Sequence, residues 1–240
     1  MYSLNYLLIA IGLAVLPSLI WLFFYLKEDP HPEPRYWLFI IFLTGAALAP
    51  IVIFLEMTLT RSSGLLILAI APLVEEISKY GVVHLALNKN PILDEPVDGM
   101  IYVITAALGF AAIENVFAIF SFVPPDFPGQ FGAALNFVSL RFVSAVALHG
   151  LASGIAGYFF AKYYFFKRNI GLIFMGLIFS IILHGAYNFL IVRNDSPVYL
   201  VLTGVLLGGA AALVIHLFNR LKHYNAYQQA LVDEAAEVKI

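Results

Sequence analysis

The chain contains no cysteine. That excludes disulfides, thiolate zinc sites and cysteine nucleophiles together. Charge is scarce as well: Asp, Glu, Lys and Arg make up 12% of the 240 residues, against ~25% in a soluble globular domain. Scarcity of that order excludes a soluble domain, a nucleic-acid binder and a disordered tail. The formal net charge of −2 implies no strongly charged partner. A Gly/Ser-rich linker, a low-complexity tract and a convincing internal repeat are also missing.

What the chain has instead is apolar residues, 62% of the total. A helix needs ~20 mostly apolar residues to cross a bilayer core of ~30 Å. Seven stretches qualify, roughly 4–26, 36–55, 64–87, 99–122, 138–160, 171–192 and 199–218. They are too long and too uniformly apolar for barrel strands, which alternate. Helices also satisfy every backbone group internally, as lipid requires. The expected fold is all-α: a polytopic membrane helical bundle of about seven transmembrane helices forming a single domain over residues 1–240. The first stretch lacks a positive leading region and a small-residue cleavage site, so it reads as a retained helix.

Orientation follows from the basic residues. With the N-terminus on one side, that side holds only Arg61 and Arg193 in its loops. The other holds Lys27, Arg35, Lys89, Lys162, Lys167, Arg168, Arg220, Lys222 and Lys239. The N-terminus is therefore expected outside and the C-terminus inside. The longest connection begins at Val123 and is rich in proline; its segment 124–129 is a candidate gate on the outer face.

Ionisable groups in hydrocarbon cost ~2.5–3.5 kcal/mol each on insertion scales, so each one needs a reason. Here they are concentrated in four consecutive spans: Glu75, Glu76 and Lys79, then Glu114 with Asn115, then His149, then His184 with Asn188. Counted from the outer ends of their spans, Glu75, Glu114, His149 and His184 lie roughly 12–17 Å deep at 1.5 Å per residue. Four helices of alternating direction thus deliver two imidazoles and at least two carboxylates to one level, in a catalytic core within 64–192. Lys79 can neutralise one carboxylate as a structural ion pair, i,i+4 to Glu75 or i,i+3 to Glu76, but not both. A lone buried histidine usually serves packing; two at matching depth beside carboxylates point to a site. Arg141 reads as a headgroup anchor or, with Asn115, as a substrate-binding group. Asp98 reads as the N-cap of the fourth span. Ser78, Ser144 and Ser153 read as small packing residues.

This set supports hydrolysis. Imidazole and carboxylate are suitable zinc ligands, and a carboxylate beside a water can take its proton. Asn188 shares a helical face with His184 and could donate to a developing oxyanion. Pro72, three residues before Glu75, frees a backbone carbonyl where water must enter. No HExxH or GxSxG sequence is present.

At these residues the chain resembles the PrsW family of intramembrane proteases, related to the type II CAAX prenyl proteases and the bacteriocin-processing enzymes. The resemblance runs through the loop Asp29-Pro30-His31-Pro32-Glu33-Pro34, the Glu75-Glu76-x-x-Lys79 sequence, Glu95-Pro96-Val97-Asp98-Gly99, Gly109 to Asn115, Arg141 with His149, and His184-Gly185-x-x-Asn188. It implies an intramembrane endopeptidase of a bacterial-type cytoplasmic membrane. The implied substrate is a single-pass membrane protein such as an anti-sigma factor, cut at its first site in stress signalling. Carried over, Glu75 is the general base and Glu76 supports it. His184 and Asn188 stabilise the oxyanion or hold the water, and Glu114, His149 and His184 form a metal or water site, with zinc as the candidate ion. Two other readings of the intramembrane charges stand beside it. One is an ion- or proton-coupled transporter, which a flux assay would reveal. The other is a non-catalytic binding or immunity protein, which would tolerate loss of Glu75 or His184.

Overall fold

A computed structural model of the chain describes residues 4–59, 67–88, 90–122, 127–193 and 196–237. Arg61, Lys89 and Lys239 of the orientation argument lie outside the described residues. The apolar runs become α1 (Leu4–Leu26), α2 (Arg35–Leu59), α3 (Ile67–Leu87) and α4 (Pro96–Phe122). One long rod follows: α5 (Phe127–Arg141), a wide π turn Phe142–Val146, α6 (Ala147–Ala161) and a second π turn Lys162–Phe166. The chain ends with α7 (Ile170–Val192) and α8 (Pro197–Glu237). The fold is all-helical, and no strand occurs among the described residues. Six of the seven rods are long and apolar enough to cross a membrane. The remaining one, α3, has the length at 21 residues but carries Glu75, Glu76 and Lys79.

Two boundaries differ from the sequence expectation. Residues 127–137, expected in the loop after Val123, form most of α5. Proline is accepted in a first helical turn, where its missing N–H costs nothing, so Pro128 does not prevent the helix. Of the candidate gate, residues 124–126 lie outside the described residues, and 127–129 are the first turn of α5. The last helix runs on to Glu237 rather than ending near 218.

The start of α4 also differs. Asp98 is inside the helix, not at its N-cap. Its Oδ2 accepts the backbone N–H groups of Asp94 (2.9 Å) and Glu95 (2.8 Å). With Pro96 opening the helix, the acid at the third helical position reaches back to the capping residue's N–H, half of a capping box. In the facing loop, Asp29 accepts the backbone N–H groups of His31 and Glu33. Burial, followed by the charges of Glu95 and Glu33, pushes the Asp29 carboxyl up to about 6, against the effect of those N–H groups.

Helix α4 is the hub. It is buried at every position from Pro96 to Ala112 and packs against α2, α6 and α1. Lipid offers no hydrophobic drive between helices, so close contact depends on small residues. A Cβ on Gly45 of α2 would collide with the Ala106 carbonyl, and one on Gly109 of α4 with the Phe42 carbonyl. On the opposite flank a Cβ on Gly157 of α6 would lie 2.7 Å from Met100 Cα. The outer surface is apolar, with Leu8, Phe23 and Phe24 of α1 and Val201 and Val205 of α8 exposed, as lipid contact requires. Gly109→Val should therefore cost at least ~1–3 kcal/mol through overpacking. Gly208→Val, at a glycine with open space around it, is the control. Unfolding temperatures of the two variants in one detergent check this.

The π turn leaves the Phe142 carbonyl available, and the Trp21 indole N–H donates to it at 2.8 Å. Such single wide turns inside helices occur often at functional sites. This one separates Arg141 from His149.

Candidate active site

Each of four rods supplies two residues one helical turn apart, which share a face. Glu75 and Lys79 come from α3, Phe110 and Glu114 from α4, His149 and Ser153 from α6, and His184 and Asn188 from α7. Their faces meet in the middle of the bundle. One donor atom from each of Glu75, Glu76, His149 and His184 lies within 4.8 Å of the others, and all four residues are buried.

Lys79 sits at the centre of this group, 0% exposed. Its Nζ donates to Glu75 Oε2 at 2.8 Å and Glu76 Oε1 at 2.9 Å, and is 2.8 Å from His149 Nδ1. An ammonium has three N–H groups and no acceptor, so all three are used and His149 Nδ1 accepts. The proton of His149 is then on Nε2, which donates to Glu114 Oε2 at 2.6 Å. The Phe110 ring lies 4.5 Å from Nζ and closes the apolar side of the site.

Glu76 is held on three sides. Its Oε1 accepts from Lys79 and from His184 Nδ1 at 2.9 Å, and its Oε2 accepts from Ser153 Oγ at 3.2 Å. Because His184 gives its Nδ1 proton to Glu76, a neutral His184 presents a lone pair on Nε2. That atom faces Glu75 Oε1 at 3.9 Å. The two imidazoles meet edge to face with centroids 5.2 Å apart.

Arg141 turns inward. Its Nη2 is 3.2 Å from Glu114 Oε1, and its Nε donates to Asn115 Oδ1. Asn115 Nδ2 donates in turn to the Ala14 carbonyl of α1 at 3.1 Å. Arg141 thereby neutralises a carboxylate rather than reaching for headgroups, and Asn115 braces α4 against α1. Glu114 stands behind His149, outside the four-residue group. Asn188 is half-buried, one turn from His184, and makes no side-chain hydrogen bond to the described residues. Pro72 stays within α3. The carbonyl of Leu68, which it leaves without an intrahelical donor, lies 3.4 Å from the position a Cβ would take on Gly185.

Two contributors escaped the sequence reading. Ser153 is not a packing residue but a donor to Glu76; its i+4 spacing from His149 was the available signal. Glu56, near the end of α2, lies close enough to feel the charges of Glu75, Glu114 and Lys79. The expected second span, 36–55, ends one residue before it.

Two imidazoles with two carboxylates form a donor set of the kind zinc accepts, and their spacing fits one ion. In the structure the Lys79 ammonium serves as the cation between three of them. A metal at that point would take over its contacts.

A family model described as PrsW family intramembrane metalloprotease matches residues 33–218. Protease PrsW of Clostridioides difficile (strain 630) is 34% identical over 75% of this chain and 77% of its own length. Protease PrsW of Geobacillus kaustophilus (strain HTA426) is 27% identical over 81% and 82%. Protease PrsW of Bacillus subtilis (strain 168) is 24% identical over 81% and 85%. No solved structure matches the chain.

Proposed function

The chain belongs to the PrsW family of intramembrane metalloproteases, and from that premise we propose that Glu75 activates the water that cuts a single-pass membrane protein. The chain is an intramembrane protease and a multi-pass protein of the bacterial cell membrane. The observation that carries the proposal is the gap of 3.9 Å between Glu75 Oε1 and His184 Nε2. A water of ordinary hydrogen-bond length spans it by donating one proton to each.

In this reading the water oxygen attacks the scissile carbonyl carbon while Glu75 takes its proton. The peptide C–N bond then breaks, and Glu75 returns the proton to the departing amine nitrogen. Glu76 holds His184 in the tautomer that leaves Nε2 free, and Lys79 donates to both carboxylates. The Asn188 amide donates to the oxygen that gains negative charge. Glu75, Glu76, His149 and His184 are the residues that would hold a metal, zinc in this reading, and it would supply polarisation of the scissile carbonyl. Glu114 and Arg141 orient His149 from behind, as outer partners of a ligand do.

The N-terminus is outside and the C-terminus inside in this proposal, which puts the site nearer the outer face and the catalytic core within 64–192. The substrate is an anti-sigma factor, cut at its first site. Membership of the PrsW family supports that choice.

The test is metal analysis of purified wild type beside His184→Ala, with cleavage of an anti-sigma-type reporter measured with and without a membrane-permeable chelator. Near-stoichiometric zinc that disappears in the variant, with chelator-sensitive cleavage, is expected. Cleavage that survives chelation and still needs Glu75 would remove the metal and keep the base. Full activity of Glu75→Gln would remove the base.

A further inference from the structure

At the opposite end of α4 from Glu114, two loops far apart in sequence meet. The loop between α1 and α2 contributes Asp29, His31 and Glu33, and the loop between α3 and α4 contributes Asp94 and Glu95, with Asp98 just inside α4. Five carboxylates gather there. Among the described residues the one basic side chain that pairs with any of them is His31, whose Nδ1 is 3.0 Å from Glu95 Oε2.

Several of the carboxylate oxygens have donors. Asp29 takes two backbone N–H groups, Glu33 Oε2 accepts the Tyr102 hydroxyl, and Asp98 Oδ2 takes two backbone N–H groups. Asp98 Oδ1 is different. The residue is 0% exposed, this oxygen meets no N–H or hydroxyl donor, and the carboxyl it belongs to lies against that of Glu33. A buried carboxylate oxygen left without a partner is costly. One carboxylate oxygen from each of Glu33, Asp94 and Asp98 lies within 4.8 Å of the others. Asp94 is exposed, and with Glu33 and Asn90 it lines a cleft of about 590 Å³, which gives an ion access from water.

We propose that Glu33, Asp94 and Asp98 bind a hard divalent cation, Ca²⁺ or Mg²⁺, at a site separate from the Glu/His centre. All three donors are oxygens, the set such ions prefer, and backbone carbonyls or water complete their shells. Asp98 lies sixteen residues before Glu114 on the same helix, or about 24 Å away at 1.5 Å per residue. The ion would tie the first loop to the start of the hub helix. It satisfies the orphaned oxygen and offsets the crowded negative charge in one step.

The full chain is purified in detergent without divalent ions and titrated with Ca²⁺ and with Mg²⁺, following heat release and the emission of Trp37, which lines the cleft. The titrations are repeated in a Glu75→Gln background, and binding that this substitution leaves unchanged is assigned away from the Glu/His centre. Saturable one-site binding and a rise in unfolding temperature are expected with at least one ion. Asp98→Asn and Asp94→Asn should each weaken binding at least tenfold. Asparagine at 98 can still accept the two backbone N–H groups. Asp94→Asn alters an exposed carboxylate and decides the matter should the first variant fail to fold. Absence of saturable binding by either ion at millimolar concentration overturns the proposal. So does binding that neither substitution weakens, and Asp98 and Glu33 would then share a proton instead.

Discussion

Glu75→Gln should reduce cleavage by about 10²–10⁴-fold, the range associated with losing a general base, while leaving the protein folded. The asymmetry between the two neighbouring glutamates is the reason to expect both halves of that result. Glu75 gives one oxygen to Lys79 and turns the other toward His184 without a hydrogen bond. A glutamine amide can keep the first contact through its own oxygen, and Lys79 retains Glu76 and His149. Glu76 has no such spare atom: it is 1% exposed and binds Lys79, His184 and Ser153. Glu76→Gln should therefore lose activity and fold stability together. Reporter cleavage in membranes, paired with unfolding temperatures of the purified variants, separates the cases. Two glutamates that behave alike in both assays would contradict the assignment of the base.

Lys79→Met should be among the most destabilising single changes in the protein, costing about 3–5 kcal/mol, the range for removing one partner of a buried ion pair. The methionine fits in volume but leaves Glu75, Glu76 and His149 Nδ1 without the donor that all three share. The double variant Lys79→Met with Glu76→Gln should recover part of the loss, because one of the two buried charges left without a donor is gone. The same variant examines the metal reading from another direction. If Glu75, Glu76, His149 and His184 hold a metal, Lys79→Met should bind zinc more tightly than wild type. Added zinc should then raise its unfolding temperature. A variant that unfolds early and gains nothing from zinc would argue that the cluster is built around the ammonium.

Much of this arrangement could be read along the chain, and the limits have physical causes. Span positions are legible because lipid tolerates only long apolar helices, so the runs near 4–26 and 171–192 recur almost unchanged as α1 and α7. The meeting of Glu75, His149 and His184 was foreshadowed by equal depth, a consequence of fixed helical rise. Depth says nothing about azimuth, however. Lys79 looked like the partner of one carboxylate and bridges three groups, and Ser153 looked like packing. For Arg141 the sequence leaves two readings open, headgroup anchor or substrate-binding group, because it does not show which way its rod is turned. The Glu33–Asp98 cluster is invisible for a different reason: Glu33 lies in one loop, Asp94 and Asp98 lie more than sixty residues further on in another loop and the first turn of α4, and no period relates the two segments.

The wide turn at Phe142–Val146 has its own consequence, best seen through deletions. A π turn is an α-helix with one residue too many. Removing one residue between 142 and 146 would let regular hydrogen bonds close, and local helix quality would improve. It would also rotate everything before the turn by ~100° relative to His149. Arg141 would swing away from Glu114 and Asn115, and the Phe142 carbonyl away from Trp21. In the regular α-helical stretches of the rod a lost residue gains no hydrogen bonds and only shifts the register; here it would mend the helix and misalign the site. The extra residue is thus a phase setting between the two halves of the rod.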